Sequence, residues 1–368
     1  MTRRELNLAI FEGTADGVLW QPRLETWIGH HMREGTMPAR FRGMDALEIY
    51  DELGCSVRYA ASAGLNRHEE REDLVRIHEQ HPDHSVETVR TPAGEITTVH
   101  QEVWEEGERR NRRISSYPVK TAEQLAVATD LVERQSFTAD VGEFERAAAR
   151  VGHRAEPTLF TSSSGFTELI KRWCGLEQTF YLLHDEPAAV ERYLEACDRR
   201  DDRMLEEALK LPCHIFNLGD HATNEFTPPP ILEKYMLPRW QRLADRLDEA
   251  GRFVHSHWDG NSKLLLPYAR RTHLHAIEAL TPAPMGDITL DEIKDGVGDE
   301  MVVLDLLPAI DFLPGHSTED LLDFTRRVID MFAPRLILGI SDEISAPGQI
   351  QKVETVTRLV DDICGPAE

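Results

Sequence analysis

Short apolar runs and amphipathic segments of helical spacing alternate along this chain with little interruption from residue 121 onward. "DEPAAVERYLEACDRRDDRMLEEALKL" has helical spacing and opens on Asp-Glu-Pro, with acid in its first turn, as a helix start should. "CHIFNLGD", "FVHSHWDG", "EMVVLDLLP" and "RLILGIS" are apolar runs of strand length, each followed by a helical or loop segment. With "GVLWQPRL" and "CSVRYA" ahead of them, strand-type runs begin near residues 18, 55, 157, 213, 253, 274, 301 and 335. Strands alternating with helices predict parallel βαβ units with right-handed crossovers. Eight such units predict a (β/α)8 barrel of TIM type, one α/β domain over residues 1–368 with an N-terminal helical extension.

One stretch breaks the pattern. Between about 85 and 119, "ETVRTPAGEITTVHQEVWEEGERRNRRISSYPVK" alternates apolar and polar residues around Pro-Ala-Gly and Glu-Gly turns, which predicts an inserted antiparallel hairpin. The run Arg109 to Arg113, "RRNRR", lies in it and reads first as a solvated hairpin edge.

Charge narrows the partners. A net charge of -24 over 368 residues argues against nucleic acid, whose phosphates need a basic face, and against an anionic membrane surface. No apolar run reaches the roughly 18 residues of a spanning helix. The start, "MTRRELNLAIFEG", lacks the apolar core and small-residue cleavage site of a signal peptide, so a cytoplasmic protein is expected. The five cysteines are scattered without C-x-x-C spacing and indicate neither a disulfide framework nor a zinc ribbon.

In a barrel of this kind the chemistry sits where strands run into their following loops. The predicted strand ends are rich in ligand-type side chains: Asp220, His221 and Glu225 in "LGDHATNE", and His255, His257, Asp259 and Asn261 in "HSHWDGN". Glu278 closes "HAIE", Asp305 lies in "VLDLLP", Asp342 and Glu343 close "GISDE", and Ser162 to Ser164 follow the third strand. Ionisable groups entering a buried strand end must be paired or bind a metal to offset desolvation. Alternate strand residues point the same way, which places His255, His257 and Asp259 on one side. Imidazole with carboxylates from neighbouring strands suits zinc or another divalent ion. His255 taken alone reads first as a satisfied core histidine, and Ser162 to Ser164 as an ordinary polar loop. His273 and His275, at the start of a strand and so at the opposite end of the barrel, read as structural.

Over about residues 155 to 365 the chain resembles the uroporphyrinogen decarboxylase superfamily, which also contains corrinoid-dependent methyltransferases. The matching features are "GDHATNEFTPPPILEKYMLP", "HWDGNSKLLLPYAR", "HAIEALTPAPMGDITLDEIKDGVGDEMVVLDLLP" and "LILGISDEISAPGQIQKVETV", in that order. Zinc-dependent members carry His-x-Cys-Gly after strand five and a further Cys after strand eight. This chain reads His257-Trp258-Asp259-Gly260, as a sister group does, and Asp342 falls at the second Cys position. Both thiolates would be carboxylates, harder ligands that suit more labile metals, so thiol activation does not transfer by default. The decarboxylase branch uses paired arginines after strand one, where "WQPRLETWIGHH" offers Arg23 alone.

The reading implied by that resemblance is a metal-assisted methyltransferase or demethylase acting on a small methylated compound. The divalent metal, zinc first among candidates, would lie on His257, Asp259 and Asp342, with Asp220, His221 and Glu278 as catalytic residues. Arg23, Ser163, His255 and Asn261 would bind substrate. The methyl carrier would be a methylcobamide on a separate corrinoid protein, and a homodimer is compatible with the sequence. The alternatives are a cofactor-free decarboxylase of the parent type and a non-catalytic barrel that binds a ligand or a corrinoid protein.

Overall fold

The computed structural model describes residues 1–105 and 108–367. The chain divides into two compact units: Met1–Ala63, Gly142–Thr161 and Pro212–Glu368 form the first, Gly64–Val141 and Ser162–Leu211 the second.

The first unit is built on parallel strands. Its sheet contains β1 (Leu19–Trp20), β2 (Thr158–Phe160), β3 (Ile215–Ala222), β4 (Phe253–Trp258), β5 (Ala276–Glu278), β6 (Val302–Pro308) and β7 (Leu336–Ser341). The hydrogen-bonded order is β1-β7-β6-β5-β4-β3-β2, so the first and last barrel strands are neighbours and the sheet curls round on itself. This is the TIM-type α/β barrel expected from the alternation. The residues of β6 and β7 are buried throughout, as expected of parallel strands covered on both faces.

The strand expected at "CSVRYA" makes no ladder among the described residues, where seven strands occupy the sheet. The segment is held instead by single bonds. Ser56 donates its N–H to the Trp20 carbonyl at 2.9 Å, and the Gln21 side chain donates to the Val57 carbonyl at 3.1 Å. Toward β2, the Ser56 hydroxyl donates to the Arg154 carbonyl at 2.7 Å, and Phe160 N–H reaches the Ser62 hydroxyl at 3.1 Å. Polar side chains replace the ladder because Arg58 and Gln21 need buried partners here and Tyr59 takes a positive φ of 61°.

The expected N-terminal helix is α1 (Arg3–Glu12), opened by a Thr2–Glu5 capping box and closed by Gly13 at φ 74°. Its Leu6, Ile10 and Phe11 join Leu19, Ile215, Val302 and Ile337 in one buried cluster. That cluster takes the early residues of several strands, so α1 plugs the end of the barrel away from the strand C-termini. Outside β3 and β4 lies α2 (Leu237–Glu249), whose Trp240 ring sits 5.7 Å from that of Trp258.

Gly339 of β7 has no room for a side chain. A Cβ there would stand 2.3 Å from Asp305 Oδ1 and 2.9 Å from the Gln21 carbonyl oxygen. Gly339→Ala should therefore destabilise by about 2–3 kcal/mol, since neither backbone nor a buried ion pair can give way cheaply. Denaturant unfolding checks this, and a loss within experimental error of zero would mean that the Asp305 carboxylate is free to move.

The second unit holds a four-stranded antiparallel sheet, Val75–Gln80, His84–Thr91, Gly94–Glu105 and Glu108–Ser116 in that order. A separate antiparallel pair joins Leu65–Glu69 to Gln135–Ala139. The hairpin read at 85–119 lies inside the larger sheet, and Pro-Ala-Gly makes its expected turn between the second and third strands. The Glu-Gly turn at 106 and 107, and the side chains of Arg109 and Arg110, lie outside the described residues. Arg112, in the same basic run, contacts Glu102 at 3.5 Å and His100 at 3.1 Å. The core of this unit packs Val89 and Ile96 with Leu125, Leu131, Trp173 and Tyr193. Among the described residues no helix is long and apolar enough to cross a membrane.

Candidate functional site

The polar residues gather at the C-terminal ends of β3, β4 and β5, and a bulge arranges them. Asn217 pairs with His255, but His221 pairs with His257, so β3 carries extra residues between these points. Gly219 takes a φ of 59° inside the bulge, which glycine does at little cost, and its N–H bonds the Asn217 side chain at 2.7 Å. The result sets His221 beside His257, ring centroids 5.0 Å apart.

Three ligand-type groups then meet. His221, His257 and Asp259 each offer one atom, and these atoms lie within 4.8 Å of one another. His221 Nε2 is 2.7 Å from Asp259 Oδ1, and His257 Nε2 is 3.7 Å from Asp259 Oδ2. The cluster is half-buried.

Glu278 stands behind it. His257 Nδ1 is 2.8 Å from Glu278 Oε1, and His255 Nδ1 is 3.3 Å from Oε2. Asn217 donates to Oε1 at 3.2 Å, Arg58 to Oε2 at 3.4 Å, and the Tyr59 hydroxyl donates to Oε2. Arg58 is itself paired with Asp305, Nη1 to Oδ2 at 3.0 Å. Its Nη2 lies 2.9 Å from Oδ1 but off the line of a hydrogen bond, so that contact is charge attraction without donor alignment. All of Arg58, Glu278 and Asp305 are buried.

These contacts set the protonation states. Burial alone would raise Glu278, but His255 and His257 outweigh it and hold the carboxyl well below its ordinary value. Burial likewise opposes ionisation of Asp259, yet His221 and His257 lower it. Burial and the Glu278 charge raise Tyr59 well above the ordinary phenol value, so it stays a donor. For His257, burial disfavours the cation, but the hydrogen bonds to Asp259 and Glu278 prevail and raise it to about 10.

A raised imidazole contributes stability that is full below the unfolded value of about 6.5 and fades as pH rises through the folded one. For the metal-free protein that window runs from about 6.5 to about 10. The proton on His257 also competes with any cation for Nε2. Divalent-metal affinity should therefore climb with pH across that window, by up to about tenfold per unit. Chelator-buffered zinc titrations near neutrality and a pH unit or more above it would detect the rise, and a flat response would count against His257 as a ligand.

The donor set fits a metal ion. Two imidazoles and a carboxylate are a usual divalent-metal set, and the ring nitrogen of His257 away from Asp259 is already fixed by a carboxylate, as metal-bound histidines require.

The expected site residues fall into three groups. His221, His257, Asp259, Glu278 and His255 come together. Arg23 and Asp342 lie at the edge: Arg23 Nη1 meets Asp342 Oδ1 at 3.2 Å and Nη2 meets Glu343 Oε1 at 2.6 Å. The guanidinium thus holds the Asp342 carboxylate, and the side chain grouped with His257 and Asp259 is His221. Asn261 is nearby but exposed, donating to Glu225 at 2.6 Å. Asp220 does not face the site. It alternates with His221 along β3 and points outward to α2, accepting from Arg239 Nη1 at 2.9 Å and Trp240 Nε1 at 2.8 Å. Ser163 belongs to the second unit, where its carbonyl accepts from Arg200 at 2.9 Å. His273 and His275 pair with Asp245 at 2.7 Å and Asp248 at 3.1 Å, the structural role expected of them.

Arg58, Tyr59 and Asn217 were not legible as site residues. The available signal for Arg58 was a lone guanidinium inside an otherwise strand-like run.

Fold and rim together define a parallel β/α barrel with an imidazole–carboxylate centre at the C-terminal ends of its strands. A methyltransferase from Methanosarcina mazei matches it with a TM-score of 0.58 at 10% identity, covering 99% of this chain and 99% of that one. A protein assigned as a vitamin-B12-independent methionine synthase from Listeria monocytogenes matches with a TM-score of 0.44 at 11% identity, covering 95% and 97%. No protein-family profile matches the chain, and no curated protein does. At 10% identity the first likeness is one of fold, and that fold is the barrel the superfamily resemblance implies.

Proposed function

We propose that the protein is a methyltransferase or demethylase of the corrinoid-linked, uroporphyrinogen decarboxylase-like type, acting on a small methylated compound with a divalent metal at His221, His257 and Asp259. The observation that carries this reading is the close grouping of those three side chains at the barrel mouth, with Glu278 bonded to the far nitrogen of His257. The likeness in fold to a methyltransferase supports it. Zinc suits this nitrogen and oxygen set best among common ions. When bound, the ion would supply Lewis acidity to the heteroatom that gives up or receives the methyl group.

The remaining work falls to the chain's own residues. Glu278 accepts the Nδ1 proton of His257 and so keeps Nε2 directed at the shared point. Tyr59 donates to Glu278 and accepts from Asn217 Nδ2 at 3.0 Å, which holds the carboxylate against rotation. Phe160 lies 4.4 Å from the Tyr59 ring and Phe226 6.5 Å from the His221 ring, and both are partly exposed. These rings give a methyl group apolar surfaces close to the polar centre. The carrier of the methyl group would be a cobamide on a separate corrinoid protein.

Decarboxylation of a polycarboxylate porphyrinogen fits less well. Arg23 and Arg58, the guanidiniums at this site, are already matched by carboxylates. The test is methyl transfer to free cob(I)alamin from a panel of methylated amines, alcohols and methoxyarenes, read by the visible spectrum of methylcobalamin. The proposal expects turnover with at least one donor, lost in Asp259→Asn. Carbon dioxide release from a porphyrinogen in the presence of chelator, with no methyl transfer from any donor, would overturn it.

A further inference from the structure

The second unit contains a basic chamber that the barrel chemistry does not use. Arg67, Arg71 and Arg172 line a cavity of about 530 Å³, within the size range of small-molecule sites. Arg76 lies in the same wall, but its charge is spent on Glu69 at 2.8 Å and Glu87 at 2.8 Å. Among the described residues no hydrogen bond or ion pair engages the Arg67 or Arg71 guanidinium, and Arg172 is stacked on Trp173 at 4.4 Å. Glu69 and Glu87 line the chamber too, but both are engaged by Arg76, so three further guanidiniums stand in its wall beyond those the carboxylates hold, unusual in a chain of net charge -24.

Two orphaned polar atoms point the same way. Gln135 lines the chamber and is 5% exposed, yet its buried Oε1 has no partner. A half-turn of that amide would present its NH2 group as a donor to an anion. A second cavity of about 80 Å³ shares Arg76, Glu87 and Arg172 with the first and continues to Val89, Ile96 and Trp173. There the buried indole N–H of Trp173 also lacks a partner. Native interiors rarely leave such atoms unpaired, and a bound molecule is one thing that pairs them.

We propose that this chamber binds a small organic phosphate, its phosphate held by Arg67, Arg71 and Arg172 and its apolar or aromatic body lying toward Trp173. A single carboxylate is satisfied by one bidentate arginine, whereas Arg67, Arg71 and the Trp173-stacked Arg172 together match a dianion with three oxygens. The site is independent of the barrel centre, so its failure would leave the methyltransferase reading untouched.

The probes are inorganic phosphate and phenyl phosphate, titrated into the full-length protein by calorimetry at fixed ionic strength. Saturable binding of both is expected, with phenyl phosphate at least about tenfold tighter. Arg67→Gln with Arg71→Gln, which removes exposed groups that hold nothing else, should weaken both ligands about tenfold or more while the melting temperature without ligand stays the same. No saturation by about 50 mM phosphate, or binding unchanged in the double variant, would overturn the proposal. Equal affinity for the two probes would overturn the placement of an apolar body beside Trp173.

Discussion

His257→Ala is expected to take bound divalent metal from about one equivalent per chain to below about a tenth. His257 is tied at both ring nitrogens, Nδ1 to Glu278 at 2.8 Å and Nε2 facing Asp259 at 3.7 Å. Losing it removes a ligand and also the group through which Glu278 orients the site. Methyl transfer should fall by about 10³-fold or more, since the proposed electrophilic assistance goes with the ion. Metal analysis of protein purified without chelator, beside circular dichroism to confirm folding, measures this. A wild-type protein that holds less than about a tenth of an equivalent, unchanged by the substitution, would dismiss the metal.

The second large effect is on stability. Arg58→Met should cost about 3–5 kcal/mol, because it leaves Asp305 and Glu278 buried without their shared cation. A built-in limit exists: burial and the nearby Glu278 charge already raise Asp305, despite Arg58, so it can take up a proton once the guanidinium is gone. Adding Asp305→Asn should therefore recover about 1 kcal/mol or more relative to Arg58→Met alone. Urea unfolding of the two single variants and the double variant gives the coupling. A loss below about 1 kcal/mol for Arg58→Met would mean that Asp305 is protonated in the native protein and makes no ion pair with Arg58.

Much of this is legible in the sequence itself. The barrel could be read because β6 and β7 are continuous apolar runs of strand length with helices between. His257 and Asp259 could be placed because they end such a run two residues apart, which strand geometry puts on one side. The grouping of His221 with them could not. It depends on the bulge at Gly219, which brings His221 level with His257, and on Arg23, which reaches from the end of β1 to take Asp342. Both are contacts between neighbouring strands that are distant in sequence, invisible to local pattern.

Asp220 is a different case. Its neighbour His221 faces inward, and the period of two along β3 already implies that Asp220 points to the helix layer. Arg58 and Tyr59 were hidden by a run that looks like a strand but is held by isolated hydrogen bonds, most of them involving side chains. The extent of the antiparallel excursion was shortened for a related reason. Its first strand, Val75–Gln80, is mostly exposed and lacks the alternation that marks a half-buried strand.

The central claim is that one divalent ion sits between His221, His257 and Asp259, and anomalous diffraction from crystals grown with zinc addresses it most directly. The account predicts a single strong peak in the barrel mouth, roughly 2.0–2.2 Å from a nitrogen of each imidazole and an oxygen of Asp259. A map with no peak there, or with its peak on Asp342 and Glu343 instead, would contradict it.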